Sequence, residues 1–138
     1  MDRAGFERLL HELAEGWATR DASRAAACFT DDAVYMEPPD QQLFVGREQL
    51  TAYFGPLEAG TYLRVHRVWF DAATQTGAVE FSFGVKGRER ADHGVAVVEV
   101  RGERIALWRD YPRKGPADFG EFVATEAKDW AWHIGNYP

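Results

Sequence analysis

An aspartate lies between two aromatic side chains in the segment LWRDYPR, residues 107–113. Because side chains alternate between the two faces of a strand, Asp110 shares a face with Trp108 if this segment is extended. Burial beside apolar side chains raises the pKa of a carboxyl group, which allows proton transfer at neutral pH. Asp110 is therefore the first candidate for a catalytic residue.

A structural role is the alternative for Asp110. The alternation places four residues on the opposite face of the strand: Ile105, Leu107, Arg109 and Tyr111. In the structural role, the carboxylate is ionised and is held by Arg109, Arg113 or backbone amides near the sheet edge. A carboxylate between aromatic side chains on a central strand is costly without a compensating function, which favours the catalytic interpretation.

A tyrosine and a glutamate form a second candidate pair in TDDAVYMEPP, residues 30–39. Tyr35 and Glu37 are two residues apart and therefore share a strand face. A tyrosine hydroxyl can donate to a carbonyl or epoxide oxygen, and a glutamate can act as a base. The alternative is a core tyrosine and an exposed glutamate at the strand end, beside Pro38.

Further acidic and basic candidates lie on two later strands. Only one of the neighbours Asp92 and His93 can face a pocket; Asp92 is the candidate, although an aspartate at a strand start is often solvated. His66 lies in the strand predicted for residues 61–70, where neither face is uniformly apolar. An exposed or interfacial position is therefore favoured for His66.

The sequence offers no pattern for a metal or a cofactor. It has no histidine pair at helical spacing and no cysteine cluster, which argues against a metal site. Its glycines form no phosphate-binding loop, and no serine or cysteine lies in a nucleophile elbow. Cys28, the single cysteine, falls on an apolar helix face and is expected to be an inert core thiol. We therefore expect chemistry without a cofactor.

Composition limits the class of protein further. A chain of 138 residues with 46% hydrophobic residues suits a single domain, 1–138, with one core. The net charge of −6 argues against nucleic-acid binding, which needs clustered basic residues. No run of 18 apolar residues is present to span a membrane, and no secretory signal pattern opens the chain. A cytoplasmic protein is expected.

Hydrophobic spacing predicts the elements that position these residues. The period of a helix predicts one helix over residues 3–19, a short one from Asp21 to Phe29, and a third after Gly46. The alternation of strands predicts five strands: 33–37, 61–70, 77–85, 92–100 and 104–111. A short helix is expected over residues 118–127. This order predicts an α+β fold in which the helices cover one face of a curved sheet and enclose a cavity.

Three segments carry a resemblance to a known family: FTDDAVYMEPP, VGREQLTAYF and GERIALWRDY. With the opening amphipathic helix, they resemble the nuclear-transport-factor-two-like superfamily, in its SnoaL-like and limonene-epoxide-hydrolase-like branch. The resemblance covers nearly the whole chain. It implies a cone-shaped barrel with a curved mixed or antiparallel sheet, a small hydrophobic ligand and a homodimer. The superfamily contains isomerases, cyclases, hydrolases, dehydratases and binding proteins, so the reaction stays open.

Only part of the catalytic site of the epoxide hydrolases in this branch has a counterpart in this sequence. They use an Asp–Arg–Asp constellation with a tyrosine and an asparagine. Tyr35 and Asp110 match the tyrosine and one aspartate, while Glu37 stands at the asparagine position. The arginine and the second aspartate fall at Phe81 and Phe83. These two replacements argue against epoxide hydrolysis of that type.

Two other branches suggest proton transfer. In ketosteroid isomerases, a carboxylate base near the strand of Tyr35 and Glu37 works opposite a tyrosine and a protonated acid, which Asp92 would match. In SnoaL-like cyclases, a His/Asp pair transfers protons, with His93 or His66 as the available histidine. Plain core positions are the first interpretation of the large aromatic residues, but with the register that the resemblance implies, seven apolar residues are expected to line the pocket: Trp17, Phe54, Val65, Trp69, Phe81, Phe83 and Trp108.

The leading expectation is cofactor-free acid–base catalysis of the isomerase or cyclase type on a small hydrophobic carbonyl or cyclic compound. Asp110 would be the acid or base, and Tyr35 the donor to the developing oxyanion. The alternative is a non-catalytic ligand-binding or assembly module, which Phe81 and Phe83 favour. An epoxide hydrolase ranks last. The aromatic tail, residues 129–138, is expected to cap the pocket or to pack on a partner.

Overall fold

The computed structural model describes residues 1–124. The α-helices of this part of the chain are α1 (Arg3–Ala18), α2 (Ala22–Ala27), α3 (Arg47–Phe54) and α4 (Phe119–Val123). The strands are β1 (Phe29–Glu37), β2 (Gln42–Val45), β3 (Thr61–Asp71), β4 (Thr76–Val85), β5 (Arg90–Arg101) and β6 (Arg104–Pro116). A short 3₁₀ turn, Pro38–Asp40, joins β1 to β2.

The six strands form one curved sheet in the order β2-β1-β6-β5-β4-β3. Neighbouring strands run antiparallel except β1 and β6, which are parallel. The sheet is open, with β2 and β3 at its edges. The α+β fold predicted from the sequence is confirmed, whereas β2 and the β1–β6 pairing had no sequence signal.

Helices α1 to α3 pack on one side of the sheet, which we call the inner face. The apolar stripe of α1 is buried at Phe6, Leu10, Leu13 and Trp17, as helical spacing predicts. Helix α2 crosses α1 closely because Gly16 has no side chain: a Cβ there would lie 2.7 Å from the Ala25 nitrogen. The helices therefore cover the inner face of the sheet with an apolar layer.

Aspartate side chains cap the N-termini of the first two helices. The Asp2 side chain accepts a hydrogen bond from the Gly5 backbone N–H at 2.7 Å, and the Asp21 side chain accepts one from Arg24 at 2.9 Å. These bonds satisfy N–H groups that have no partner within the helix. Asp21 is thus the N-cap predicted from the sequence. No helix within residues 1–124 is long and apolar enough to cross a membrane.

A β-bulge at His66 reverses the alternation of side chains within β3. The pairing with β4 is regular up to Val65 and resumes at Arg67, one residue out of phase. Trp69 consequently lies on the outer face, opposite the helices, and is 50% exposed. The bulge explains why neither face of residues 61–70 is uniformly apolar in the sequence.

A second bulge lies at Ala106 in β6. The residues on either side of it, Ile105 and Leu107, pair with consecutive residues of β5. Ile105 is fully buried in the same core as Trp108, so its predicted place on the opposite face is wrong. Beyond the bulge, the side chains of β6 alternate between the two faces as predicted. Trp108 and Asp110 therefore share the inner face.

Several boundaries differ from the predicted ones. Strands β1 and β6 are longer than predicted, at nine and 13 residues. Helix α4 begins where a helix was expected and ends at Val123. Residues 125–127 of the predicted helix and the aromatic tail, with Trp130, Trp132, His133 and Tyr137, lie outside the described residues.

Candidate functional site

A cavity of about 300 Å³ lies between the inner face of the sheet and the helices. Seven aromatic side chains line it: Trp17, Tyr35, Tyr53, Phe54, Phe81, Phe83 and Trp108. Its ionisable side chains are Glu37, Asp40, Asp92, Asp110 and Lys114. An apolar cavity with a few converging polar groups is the usual form of a small-molecule site.

The parallel pairing of β1 with β6 brings the main candidates together. Tyr35 pairs with Trp108 and Met36 with Arg109, which brings Glu37 beside Asp110 on the same face. The rings of Tyr35 and Trp108 lie 6.1 Å apart and nearly parallel. Two carboxyl groups and a tyrosine hydroxyl therefore share one end of the cavity, as the sequence candidates implied.

Asp110 is buried, with 4% of its surface exposed, and its hydrogen bonding is incomplete. The Tyr35 hydroxyl donates to Oδ2 over a long 3.4 Å. Oδ1 has no hydrogen-bond partner among the described residues. Burial, helped by the Glu37 charge, raises the pKa of Asp110 to about 7, against the opposing effects of the Trp108 indole and the Tyr35 hydroxyl. At neutral pH this group exists in both protonation states.

Glu37 is better provided with donors. The Tyr53 hydroxyl donates to Oε1 at 2.9 Å, and the Gln42 amide donates to Oε2 at 3.1 Å. Burial raises the pKa of Glu37, while the nearby Tyr53 and Tyr35 hydroxyl groups oppose this shift because they favour the ionised form. Glu37 thus accepts a bond on each oxygen, whereas Asp110 accepts, among the described residues, one long bond from Tyr35 beside the Trp108 indole, which also favours its ionised form.

Both tyrosines of the cavity keep their protons. Burial is the main cause that raises the pKa of Tyr35 well above its usual value, and the nearby Asp110 charge adds to it. Burial and the Glu37 charge raise the pKa of Tyr53 in the same way. The two hydroxyl groups are therefore hydrogen-bond donors throughout the physiological range.

Tyr53 and Gln42 are site residues that the sequence did not reveal. Tyr53 belongs to the apolar stripe of α3, where a tyrosine is usually a core residue. Only its hydroxyl group could have indicated a role in the site, because a buried hydroxyl group needs a hydrogen-bond partner. Gln42 lies on β2, a four-residue strand without a sequence pattern.

Asp92 lies at the edge of the cavity, apart from the buried carboxyl pair. It lines the cavity as the sequence suggested, and its carboxylate lies 3.8 Å from the Lys114 ammonium. Both side chains of this pair are partly exposed, so the interaction is screened by water. The structure therefore gives Asp92 a partly exposed lysine partner within the cavity lining.

Two of the seven residues expected to line the cavity do not line it. Trp17, Phe54, Phe81, Phe83 and Trp108 do so. Trp69 lies on the outer face because of the bulge in β3. Val65 packs against the core from the inner face but lies outside the cavity, toward the edge of the sheet.

Both strand histidines are bonded on the outer face, away from the cavity. His66 Nε2 lies 2.6 Å from Ser82 Oγ, which lies 2.7 Å from His93 Nδ1. His93 Nε2 donates to the Pro116 carbonyl at 2.6 Å. His66, expected to be exposed or interfacial, is half-buried under Phe119, whose ring stacks on it at 3.6 Å. A His/Asp pair facing the cavity, as in the cyclases, is therefore not formed by His66 or His93.

The described residues contain no group of three or more His, Cys, Asp or Glu side chains that could hold a metal ion. Cys28 is buried, and burial raises the pKa of its thiol to about 11. A thiol with this pKa is a poor nucleophile at neutral pH.

Residues 10–108 match the family model of the SnoaL-like domain. No curated protein matches the chain significantly. Among solved structures, a protein of unknown function with a cystatin-like fold from Methylobium petroleophilum PM1 has a TM-score of 0.71 at 19% identity, covering 96% of this chain and 84% of that chain.

Two further solved structures have an activity in their descriptions. A protein from Kribbella flavida DSM 17836 proposed to be a ketosteroid isomerase has a TM-score of 0.69 at 18% identity, over 91% of this chain and 92% of that chain. An LEH-like epoxide hydrolase of M. tuberculosis has a TM-score of 0.64 at 21% identity, over 77% of this chain and 80% of that chain. Identities this low show that the fold is shared. They do not show that the reaction is shared.

Proposed function

The chain belongs to the SnoaL-like domain family, and on that premise we propose that it catalyses a cofactor-free proton transfer. The reaction is of the isomerase or cyclase type, and the substrate is a small hydrophobic carbonyl or cyclic compound. One observation carries this proposal: Asp110 is buried beside Tyr35 in an aromatic cavity, and one of its carboxylate oxygens has no partner within residues 1–124.

In the proposed reaction, ionised Asp110 takes a proton from a carbon next to the substrate carbonyl. The electron pair of the broken C–H bond moves onto the carbonyl oxygen, which becomes an enolate oxygen. Tyr35 donates a hydrogen bond to this oxygen as its charge develops. Asp110 then returns the proton to the same or another carbon, so no oxidant and no cofactor is consumed.

The environment of Asp110 suits both halves of this cycle. A group with a pKa near the working pH is the best compromise between accepting and donating a proton. Glu37, with donors on both oxygens, is the group that stays ionised, and its charge helps to hold the pKa of Asp110 high. Glu37 therefore acts on the reaction through Asp110, because its charge favours the protonated form of that residue.

The aromatic walls support a flat or cyclic substrate. Phe81 and Phe83 present apolar rings where the resemblance predicts the arginine and second aspartate of an epoxide hydrolase. We therefore do not propose epoxide hydrolysis. The same apolar walls favour the second candidate, a ligand-binding module without catalysis.

Proton exchange tests the proposal without knowledge of the natural product. Small cyclic ketones and enones are incubated with the protein in D₂O, and ¹H NMR follows the loss of their α-proton signals. We expect wild-type protein to accelerate exchange for at least one compound. Asp110→Asn should reduce this acceleration by about 100-fold or more, since the acid–base group is lost. Tyr35→Phe should reduce it by about 10-fold or more.

Glu99→Gln is the control, because Glu99 is an exposed acid of β5 that does not line the cavity. Near-UV circular dichroism of each variant reports whether the aromatic core is intact. Equal exchange in wild type and Asp110→Asn would contradict the catalytic role. Saturable binding of a ketone without any exchange would support the ligand-binding module instead.

A further inference from the structure

Two buried carboxyl groups line the cavity, and neither has a basic partner in the part of the chain that the structure describes. Glu37 is 8% exposed and Asp110 is 4% exposed. Among residues 1–124, neither forms an ion pair with a lysine, arginine or histidine. Lys114, the one basic residue that lines the cavity, lies 3.8 Å from Asp92 at its edge.

This arrangement is unusual because buried charges are normally paired or bound to a cation. Each carboxylate disfavours ionisation of the other, and burial disfavours ionisation of both. Asp40 and Asp92 add two further carboxylates to the lining, against one lysine. The cavity therefore repels an anionic ligand and attracts a cationic one.

The walls of the cavity favour a cation as well. The face of an aromatic ring carries partial negative charge, and several rings around one point bind organic ammonium groups. Tyr35 packs against Trp108 on one side and lies 5.6 Å from the ring of Tyr53 on another. These rings line the cavity together with the two carboxyl groups, so both kinds of attraction act in the same cavity.

Asp110 adds a specific acceptor. Its Oδ1 atom is buried and has no partner among the described residues, although buried carboxylate oxygens are normally hydrogen-bonded. An organic ammonium group in the cavity would supply positive charge beside this atom, with a direct N–H bond in a protonated amine and through its charge alone in a quaternary ammonium.

We infer that the substrate of this cavity carries an ammonium group, bound between the Glu37–Asp110 pair and the surrounding aromatic rings. The inference rests on the proposed function, since it names the substrate class of the same site: a small amine-bearing hydrophobic compound. The positive charge favours ionised Asp110, so binding such a substrate releases the proton of Asp110 and produces the base that the reaction needs.

Choline and its neutral carbon analogue, in which a tert-butyl group replaces the trimethylammonium group, form a matched pair of probes. They have nearly the same shape, and the charge of choline does not depend on pH. Isothermal titration calorimetry at pH 6 and pH 8 gives the Kd of each. We expect choline to bind about 10-fold more tightly at pH 8 than at pH 6, because a group with a pKa of about 7 must be ionised.

Three further results are expected. Choline binds more tightly than the neutral analogue at pH 8, and the affinity of the analogue is the same at both pH values. Titrations at neutral pH in two buffers of different ionisation enthalpy show that choline binding releases a proton. Asp110→Asn and Glu37→Gln each weaken choline binding and leave the analogue unaffected, while the control Glu99→Gln changes neither.

Choline that binds no more tightly than the neutral analogue at pH 8, or that does not bind at all, would overturn the inference. So would an affinity for choline that is the same at pH 6 and pH 8. These outcomes need no variant and do not depend on its folding. They also leave the ketone-exchange experiment intact, so failure of the substrate class is distinguishable from failure of the proposed proton transfer.

Discussion

At the scale of single residues, the different hydrogen bonding of Glu37 and Asp110 separates two otherwise similar carboxyl groups. Glu37 accepts bonds from Tyr53 and Gln42, one on each oxygen. Asp110 accepts one long bond from Tyr35. Because each donor favours the ionised form, the proton of the pair is kept by Asp110.

Asp110→Asn should stabilise the protein at high pH. A carboxyl group whose pKa is raised in the folded state binds a proton more tightly there than in the unfolded chain. Stability therefore falls as the pH rises from about 4, the unfolded pKa, to about 7. Asparagine carries no charge, so we expect a gain of about 1–3 kcal/mol in the free energy of unfolding at pH 8.

Urea unfolding of wild type and Asp110→Asn at pH 5 and pH 8 measures this effect. The variant should gain relative to wild type at pH 8 and show little gain, or a loss, at pH 5. The exposed substitution Glu99→Gln should show no such pH-dependent difference. A difference between Asp110→Asn and wild type that is equal at both pH values would mean that Asp110 does not titrate in the folded protein as described.

At the scale of elements, a hydrogen-bonded chain attaches α4 to the outer face of the sheet. A carbonyl only accepts, so His93 Nε2 carries the hydrogen that is donated to Pro116. In neutral His93, Nδ1 then accepts from the Ser82 hydroxyl, whose oxygen accepts from His66 Nε2. The rings of Phe119 and Phe122 in α4 stack on the two histidines.

Ser82→Ala should loosen this attachment. It removes one partner from each histidine, and His93 is only 1% exposed, so water cannot easily replace the lost bond. We expect a loss of about 1–3 kcal/mol in the free energy of unfolding. Hydrogen exchange at the Phe122 amide, which is bonded to Asp118 within α4, should become faster.

Ser23→Ala makes the same chemical change at an exposed position of α2 and serves as the control. It should change the free energy of unfolding by less than about 0.5 kcal/mol. If the two substitutions have equal effects, the chain of bonds through Ser82 does not hold α4.

The sequence predicts where the helices and strands lie better than it predicts which face of each strand is buried. The apolar stripe of α1 and the cap at Asp21 follow local rules, and both are present. The bulge at His66 shifts the register of β3, so strict alternation could not show which face of β3 is buried, and the expectation that Trp69 lines the pocket is wrong. Asp110 was correctly assigned because the phase of β6 beyond its own bulge is regular. Tyr53 and Gln42 approach Glu37 only in the folded chain, which is why sequence spacing could not reveal them.

At the scale of the whole molecule, the two faces of the sheet differ. The inner face is covered by α1 to α3. The outer face exposes several large apolar side chains: Leu43, Val45, Trp69, Val95 and Tyr111. Val95 and Tyr111 are direct partners on neighbouring strands, so their side chains adjoin. Apolar patches of this kind are typical of protein–protein contact surfaces.

We expect this face to form a homodimer, as the family resemblance implies. Tyr111→Glu places a charge in the middle of the outer face and should shift the protein toward a monomer in size-exclusion chromatography with light scattering. Ala52→Glu adds the same charge on the exposed side of α3 and should leave the mass unchanged. A wild-type protein that is monomeric at every concentration tested would contradict the expectation.

The central claim is that Asp110 exchanges protons at neutral pH inside the aromatic cavity. The most direct measurement is a ¹³C NMR titration of the aspartate carboxyl carbons, with the Asp110 signal assigned by its absence in Asp110→Asn. The account predicts a main inflection at about pH 7. An Asp110 signal that titrates near pH 4, the ordinary aspartate value, would contradict the claim, because the group would then be a fully ionised structural acid at neutral pH.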